Sequence, residues 1–216
     1  MIRVFRLISS SIFFIFWAAV IAVSLLGFPG TGSSVERFPD PVEGQAVYDP
    51  AGALEPDVEQ ALERMIDEIE ARSGAELVIY LQVDELATED SNRDAAKALM
   101  DQWGVGRAGY DDGLVYLVSF EPTLEHGVVS YYAGAGFLRG YLSQSDLQQT
   151  IDNVIVPAAA QHQVGGGLIQ AVDFVGSAIT PAGTARLNFL RQLNAVVGIV
   201  GAPIAFLLIV GVALRA

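Results

Sequence analysis

Apolar positions in the middle of the chain switch between helical and strand spacing. Over residues 56–73 they recur at intervals of three and four, which predicts an amphipathic helix that begins near Pro56 and ends at Gly74. The run over 76–83 is rich in β-branched and apolar residues and predicts a buried strand. An acidic loop over 84–90 is expected after the carboxyl end of this strand.

The second half of this region repeats the alternation. Ser143 and Asp146 are spaced as a helix cap, and Pro157 is expected to end or kink the helix that follows. The glycines at 165–167 are expected to separate that helix from the last one. We expect helices over 91–103, 144–156 and 168–179, and strands over 114–120 and 128–133 that pair as an antiparallel hairpin.

Strands that alternate with helices, followed by a hairpin and more helices, predict an α/β fold with a mixed sheet covered by helices. The folded domain is expected to span 46–180. A linker over 29–45, interrupted by Pro39 and Pro41, precedes it, and a second linker over 181–194 follows it.

Two uncharged apolar stretches flank the domain. Residues 7–28 and 195–214 are each long enough to cross a hydrocarbon core of about 30 Å as a helix. Arg3 and Arg6 precede the first stretch and favour a cytoplasmic N-terminus, so the domain would lie on the periplasmic side of the inner membrane. A cleaved signal peptide is the alternative for the first stretch, although no Ala-x-Ala site is visible.

The second stretch carries a row of small side chains. They recur near four-residue intervals, a spacing that lets membrane helices approach closely. We expect either helix docking by this face or only the common use of small residues in membrane spans. The row consists of Gly198, Gly201, Ala202 and Ala205.

Charge and cysteine content exclude several functions. All 25 acidic residues lie between Glu36 and Asp173, and the chain has a net charge of −13, which disfavours nucleic acid as a partner. The chain has no cysteine, so disulfides, thiolate metal sites and cysteine nucleophiles are excluded.

The most distinctive stretch is a glycine-rich acidic loop before the strand over 114–120. Asp111 and Asp112 could hold a hard cation such as calcium together with Asp84, if the loops that carry them meet at neighbouring strand ends. The alternative is a simple turn, since Asp and Gly dominate turns for conformational reasons. No EF-hand spacing, zinc motif, Walker lysine or nucleophile elbow is present, and no catalytic residue is assigned.

The order of these features resembles the TPM domain family, which includes the thylakoid lumen protein implicated in photosystem II repair. The resemblance covers residues 46–180 and is most specific in the Trp-Gly-x-Gly and Asp-x-Gly elements. It rests on the segments 48–54, 73–78, 103–106, 111–114, 134–140, 155–157 and 167–169.

The resemblance implies a three-layer α/β/α sandwich with an acidic cleft, and some family members are described as calcium-binding and as weak acid phosphatases. Arg139 and Gln144 stand where the family has acidic residues, and 158–164 lacks the expected aromatic and acidic residues. These departures remove metal ligands and phosphate-contacting charges that the resemblance would imply, so they disfavour phosphatase activity.

We therefore expect a membrane-tethered accessory, assembly or stabilising subunit of a larger membrane protein complex, photosynthetic or respiratory. Calcium is the one cofactor considered, and the bilayer and a membrane complex are the expected partners. A calcium-dependent acid phosphatase is the alternative.

Overall fold

The computed structural model of the protein describes residues 38–192. The four strands are β1 (Val47–Tyr48), β2 (Leu77–Val83), β3 (Leu114–Phe120) and β4 (Gly127–Ala133). The helices are α1 (Pro56–Ser73), α2 (Glu89–Trp103), α3 (Ala135–Gly140), α4 (Gln144–Thr150), α5 (Val156–Ala159) and α6 (Val164–Ala178). A π-helical turn, Ile151–Ile155, joins α4 to α5, and residues 181–192 are helical.

The strands form one mixed sheet in the order β1-β2-β3-β4. β1, β2 and β3 are parallel, with Leu77 opposite Leu114 and Val83 opposite Phe120. β3 and β4 form the predicted antiparallel hairpin, with Leu114 opposite Ala133. The expected α/β fold with a mixed sheet is confirmed.

Helices cover both faces of the sheet because successive strand residues point to opposite sides. On β3, Leu114, Tyr116 and Val118 enter a core formed with α1, α4 and α6. Val115 and Leu117 enter a second core formed with α2. All seven residues of β3 are buried, as expected for a central strand covered on both sides.

Local sequence signals set the ends of the first helices. α1 has Pro56 in its first turn and ends at Gly74, which adopts a left-handed conformation (φ 73°) as the sequence predicts. α2 begins two residues earlier than predicted, because the hydroxyl of Thr88 accepts a hydrogen bond from the Ser91 N–H in a capping box.

Two expectations about the later helices differ from the structure, and one short helix was not predicted. β4 ends at Ala133, and the chain then enters this unpredicted helix, α3. The helix predicted over 144–156 contains a π turn and continues through Pro157 to Ala159; proline has no N–H to donate and is tolerated in the first turn of α5.

The glycines at 165–167 do not separate helices but lie inside α6, which begins at Val164. A Cβ at Gly165 would lie 2.7 Å from Val58 Cγ1, and one at Gly167 would lie 2.8 Å from Ala158 Cβ. Close packing of α6 against α1 and α5 therefore overrides the weak helix propensity of glycine.

Residues before and after the predicted domain pack on the sheet and its helices. Phe38 is buried among Tyr48, Tyr80 and Trp103, and its backbone exchanges hydrogen bonds with the Gln102 side chain. At the other end, Leu187 is buried in the helical segment 181–192.

The predicted membrane spans, 7–28 and 195–214, lie outside the described residues. Within 38–192, no helix has the length and hydropathy needed to cross a membrane.

Candidate functional site

The loop between α2 and β3, residues 104–113, contains a buried ion pair and several hydrogen bonds between side chains and backbone. It begins at Gly104, which ends α2 in a left-handed conformation, and it leads into the amino-terminal end of β3. Gly106 has a φ of 108°, and its N–H donates a hydrogen bond of 2.7 Å to Glu76 Oε2. We call residues 104–113 the Arg107 loop.

Asp112 is completely buried and forms an ion pair with Arg107. Its Oδ1 accepts a hydrogen bond from the Arg107 backbone N–H (3.0 Å), and its Oδ2 accepts from Arg107 Nε (2.9 Å) and Nη2 (2.5 Å). A carboxylate buried in this way needs its hydrogen-bond partners, since water cannot replace them. Both oxygens of Asp112 are thus occupied within the loop.

Asp111 is exposed and adopts a left-handed backbone conformation, with φ 56°. Its carbonyl oxygen accepts hydrogen bonds from the N–H groups of Gly136 (2.7 Å) and Phe137 (3.0 Å). Its Oδ2 accepts from the Ala135 N–H (2.7 Å). Asp111 therefore satisfies the first N–H groups of α3, which have no partner within the helix itself.

This contact explains two of the glycines in the Gly134-Ala135-Gly136 motif. A Cβ at Gly134 would overlap the backbone of Asp111, and a Cβ at Gly136 would overlap the carbonyl of Tyr110. The backbone of the loop approaches α3 too closely for any side chain at these positions.

Tyr110 lies between two arginines on the outer side of the loop. The Arg107 guanidinium carbon is 4.0 Å from the centre of the Tyr110 ring, and that of Arg191 is 4.5 Å away. Arg191 Nη1 also donates a hydrogen bond of 3.1 Å to the Tyr110 hydroxyl. The helical segment 181–192 is thereby attached to the Arg107 loop.

The inner side of the loop borders a shallow cleft of about 320 Å³. Asp101, Arg107, Asp111 and Tyr132 are among the residues that line it, so charges of both signs border the cleft. Asp101 is paired with Lys97 at 2.5 Å.

The structure does not bring Asp84 together with Asp111 and Asp112. Asp84 follows β2, whereas the other two precede β3, and these strands are parallel and in register from Leu77–Leu114 to Val83–Phe120. The two groups lie at opposite ends of the sheet, roughly 20 Å apart at about 3.3 Å per residue. The expected convergence fails because it assumed that both loops lie at carboxyl ends.

A calcium ion needs six to eight oxygen ligands. In the Arg107 loop, Asp112 is paired with Arg107, and one carboxylate oxygen of Asp111 accepts a hydrogen bond from the Ala135 N–H. The positive charge of the Arg107 guanidinium also disfavours a bound cation. The residues present therefore do not fit a calcium site of the predicted composition. In the described part of the chain, three metal-ligating side chains come within reach of one another at Glu121, Glu125 and His126, in the exposed hairpin turn.

Other predicted site residues are not placed. The small-residue row, Gly198, Gly201, Ala202 and Ala205, lies outside the described residues.

Two polar residues with structural contacts, one at the Arg107 loop and one under α2, were not predicted. The Glu76 carboxylate accepts a hydrogen bond from the Gly106 N–H. In the sequence, Glu76 could have been noticed as a charged residue immediately before a buried strand. Asn92 is buried on α2, where its amide donates to the carbonyls of Leu117 and Val128 and its oxygen accepts from Ser119 Oγ. Its signal is a polar residue on the apolar face that continues with Ala95 and Leu99.

Comparisons with known proteins agree on this fold. The family model described as TPM domain matches residues 47–178. The N-terminal domain of a P. gingivalis protein, solved by NMR, has a TM-score of 0.53 and 24% sequence identity and covers 62% of this chain and 82% of its own.

Two further NMR structures are similar to this chain. The N-terminal domain of a Corynebacterium glutamicum protein has a TM-score of 0.45 and 15% identity and covers 67% of this chain and 85% of its own. A protein of the psychrophilic bacterium Bizionia argentinensis has a TM-score of 0.44 and 20% identity and covers 58% of this chain and 81% of its own. No curated protein matches the chain.

Proposed function

Because the chain belongs to the TPM domain family, we propose that it is a membrane-tethered binding module and not an enzyme. In this role it is an accessory, assembly or stabilising subunit of a larger membrane protein complex, photosynthetic or respiratory. The domain lies on the periplasmic side of the inner membrane, held by helices over 7–28 and 195–214.

The observation that carries this proposal is the ion pair of Arg107 and Asp112. Phosphoryl transfer needs charged groups placed on the transferring phosphoryl group. In the Arg107 loop the guanidinium donates to Asp112 and packs on Tyr110, and both oxygens of the fully buried Asp112 carboxylate accept hydrogen bonds from Arg107. These charges stabilise the loop and are not arranged to contact a phosphoryl group. We therefore favour a binding function over a catalytic one.

Membrane tethering supports the same proposal from the sequence. The two apolar stretches would confine the protein to the plane of the bilayer, where lateral association needs little additional contact energy. The row of Gly198, Gly201, Ala202 and Ala205 would let the second helix pack closely on a partner helix.

The test is co-purification from native membranes in mild detergent. Gly201→Leu and Ala202→Leu should reduce recovery of the partner complex, because a larger side chain separates the helices. Val200→Leu is the matched control, because at 3.6 residues per turn position 200 would fall on the opposite side of the predicted helix. Equal recovery with all three variants would show that this row meets only lipid.

A second measurement separates binding from catalysis. The full-length protein is assayed with a chromogenic phosphate ester at acidic and neutral pH, with and without calcium, and calcium binding is followed by calorimetry. We expect negligible hydrolysis. Calcium-dependent hydrolysis that disappears in an Asp111→Asn/Asp112→Asn variant would replace this proposal with the phosphatase alternative.

A further inference from the structure

Strand β4 forms one edge of the sheet, and half of its backbone groups face away from β3. The Gly134 N–H donates to the Gly113 carbonyl and the Glu121 N–H to the His126 carbonyl, so Val128, Ser130 and Tyr132 are the hydrogen-bonded partners of β3. The N–H and C=O groups of Val129 and Tyr131 therefore point outward, and no backbone group within 38–192 pairs with them.

A groove runs along this edge. Two adjoining cavities, of about 460 and about 490 Å³, both border Tyr131 of the strand, Arg93 of α2 and Gln148 of α4. The two cavities adjoin at these shared residues along the strand edge, and we call them together the β4 groove. Its floor is the strand edge, and its two walls are α2 and α4.

The α4 wall is tied directly to the strand. The hydroxyl of Tyr131 donates a hydrogen bond of 2.9 Å to the Gln144 carbonyl. On the other wall, Ser130 Oγ donates to the Glu89 carbonyl (3.3 Å). The edge is thus flanked by both helix layers while its outward hydrogen-bonding groups stay open.

We propose that the β4 groove binds an extended basic peptide segment of a partner protein, which adds to the sheet as a fifth strand. The proposal rests on the binding function proposed above, for which it names the surface and the chemistry of the partner. Main-chain hydrogen bonds to Val129 and Tyr131 would supply affinity, and side chains alternating toward the two walls would supply specificity.

Charge disfavours a second copy of this chain as the occupant. Each copy carries a net charge of −13, so pairing of two β4 edges would bring like-charged surfaces together.

Charge decides the character of the peptide. Arg93 in the groove is already paired with Glu89 at 2.9 Å and with Asp90 at 3.5 Å. Asp152 lies at the same end of the groove and is exposed, and the whole chain carries a net charge of −13. A lysine- or arginine-containing segment is therefore favoured over an acidic one.

The experiment uses the full-length protein and a fluorescein-labelled peptide of alternating valine and lysine, about eight residues long to match the strand. Binding is followed by fluorescence anisotropy. Two control peptides have glutamate in place of lysine or carry N-methyl groups on every backbone amide. We expect binding of the first peptide and roughly tenfold or greater weakening with either control.

Three variants place the site. Gln148→Trp should fill the groove and Val129→Pro should remove an outward N–H, and each should weaken binding roughly tenfold or more. Gln149→Trp is the matched control, since Gln149 is exposed on the same helix and does not line the groove. Amide hydrogen exchange adds an independent readout: peptide should slow exchange at Val129 and Tyr131, whose amides face outward, more than at Ser130.

The proposal is overturned if no peptide binds, if the N-methylated or acidic peptide binds equally, or if Gln148→Trp binds as tightly as Gln149→Trp. Co-purification of the membrane complex separates this failure from that of the proposed function. Undiminished recovery of the complex with Gln148→Trp would leave the binding function intact and reject the β4 groove as its surface.

Discussion

At the residue level, the ion pair of Arg107 and Asp112 places a fully buried carboxylate in the Arg107 loop. The Asp112 side chain is fully buried, whereas 27% of the Arg107 side chain remains exposed. A buried carboxylate is tolerated only while its partner is present. We therefore expect removal of Arg107 to destabilise the Arg107 loop strongly, although other hydrogen bonds also hold the loop.

We predict that Arg107→Met lowers the free energy of unfolding by about 3–5 kcal/mol, because it leaves the Asp112 carboxylate buried without its partner. Urea unfolding followed by circular dichroism measures the change. Lys97→Met is the control, since Lys97 and Asp101 form an exposed pair worth about 0.3–0.5 kcal/mol. A similar small loss for both variants would mean that the loop carries no buried charge.

His126 and Glu121 form an exposed pair that makes stability depend on pH. Glu121 Oε1 lies 2.8 Å from His126 Nδ1, and this hydrogen bond raises the pKa of His126 and lowers the pKa of Glu121. A raised histidine pKa stabilises the fold at low pH, and the effect is lost as pH rises through it. A lowered glutamate pKa stabilises at higher pH, and the effect is lost as pH falls.

The two effects overlap between roughly pH 4.5 and 6.5. His126→Gln should therefore lower the melting temperature slightly at about pH 5.5 and leave it unchanged at about pH 8. In the unsubstituted protein, NMR titration should find the pKa of His126 above its ordinary value, and Glu121→Gln should bring this pKa down. A pKa of His126 that does not respond to Glu121→Gln would contradict the pairing.

At the scale of elements, the three glycines of α6 have different surroundings although they are consecutive. A Cβ at Gly167 would lie 2.8 Å from Ala158 Cβ and 3.1 Å from Ile155 Cα, whereas a Cβ at Gly166 would meet nothing within 4 Å. The same substitution at adjacent positions therefore tests packing against propensity.

Gly167→Ala should destabilise the protein by about 1–3 kcal/mol, because α6 must move away from the π turn and α5. Gly166→Ala should stabilise it by about 0.4–1 kcal/mol, since alanine is the better helix former and open space surrounds this position. Thermal unfolding of both variants checks the prediction. Equal effects would mean that α6 does not approach its neighbours as closely as the structure shows.

Helix α2 is fixed to the sheet by a polar contact within an apolar interface. Asn92 bonds the carbonyls of Leu117 and Val128 and accepts from the Ser119 hydroxyl, and all three side-chain contacts lie under the helix. This arrangement sets the position of α2 along the hairpin, which apolar contacts alone would leave less specified.

Asn92→Ala should cost about 1–3 kcal/mol of unfolding free energy, because Ser119 and the two carbonyls lose a partner without gaining access to water. Asp94→Ala, at an exposed position of the same helix, should change stability by less than about 0.5 kcal/mol. Urea unfolding of both proteins measures the difference. A loss for Asn92→Ala as small as the control would show that water replaces the missing amide.

At the scale of the whole molecule, the open prediction is topology. Arg3, Arg6 and the two uncharged stretches predict that both termini are cytoplasmic and that residues 46–180 lie outside. Protease added to intact spheroplasts should then digest the domain. Digestion only after lysis would place the domain in the cytoplasm and remove the basis for a periplasmic partner.

Elements whose signals are local could be predicted from the amino-acid sequence. The helix Pro56–Ser73 and the strand Leu114–Phe120 have the predicted bounds, because apolar spacing, caps and glycine stops act within a few residues. Short motifs in the sequence also indicated the resemblance to the TPM domain family, which the family model over residues 47–178 confirms.

Which residues become neighbours in space could not be predicted from local patterns and follows from how the elements pack. Asp84 follows β2, whereas Asp111 precedes β3. Because these two strands are parallel, the two residues lie at opposite ends of the sheet. Burial joined Asp112 to Arg107 and turned a candidate metal ligand into part of an ion pair. Close packing accounts for Gly165 and Gly167 inside α6, and strand order left β4 at an open edge. Such relations depend on contacts between residues far apart in the chain, which spacing along the sequence does not encode.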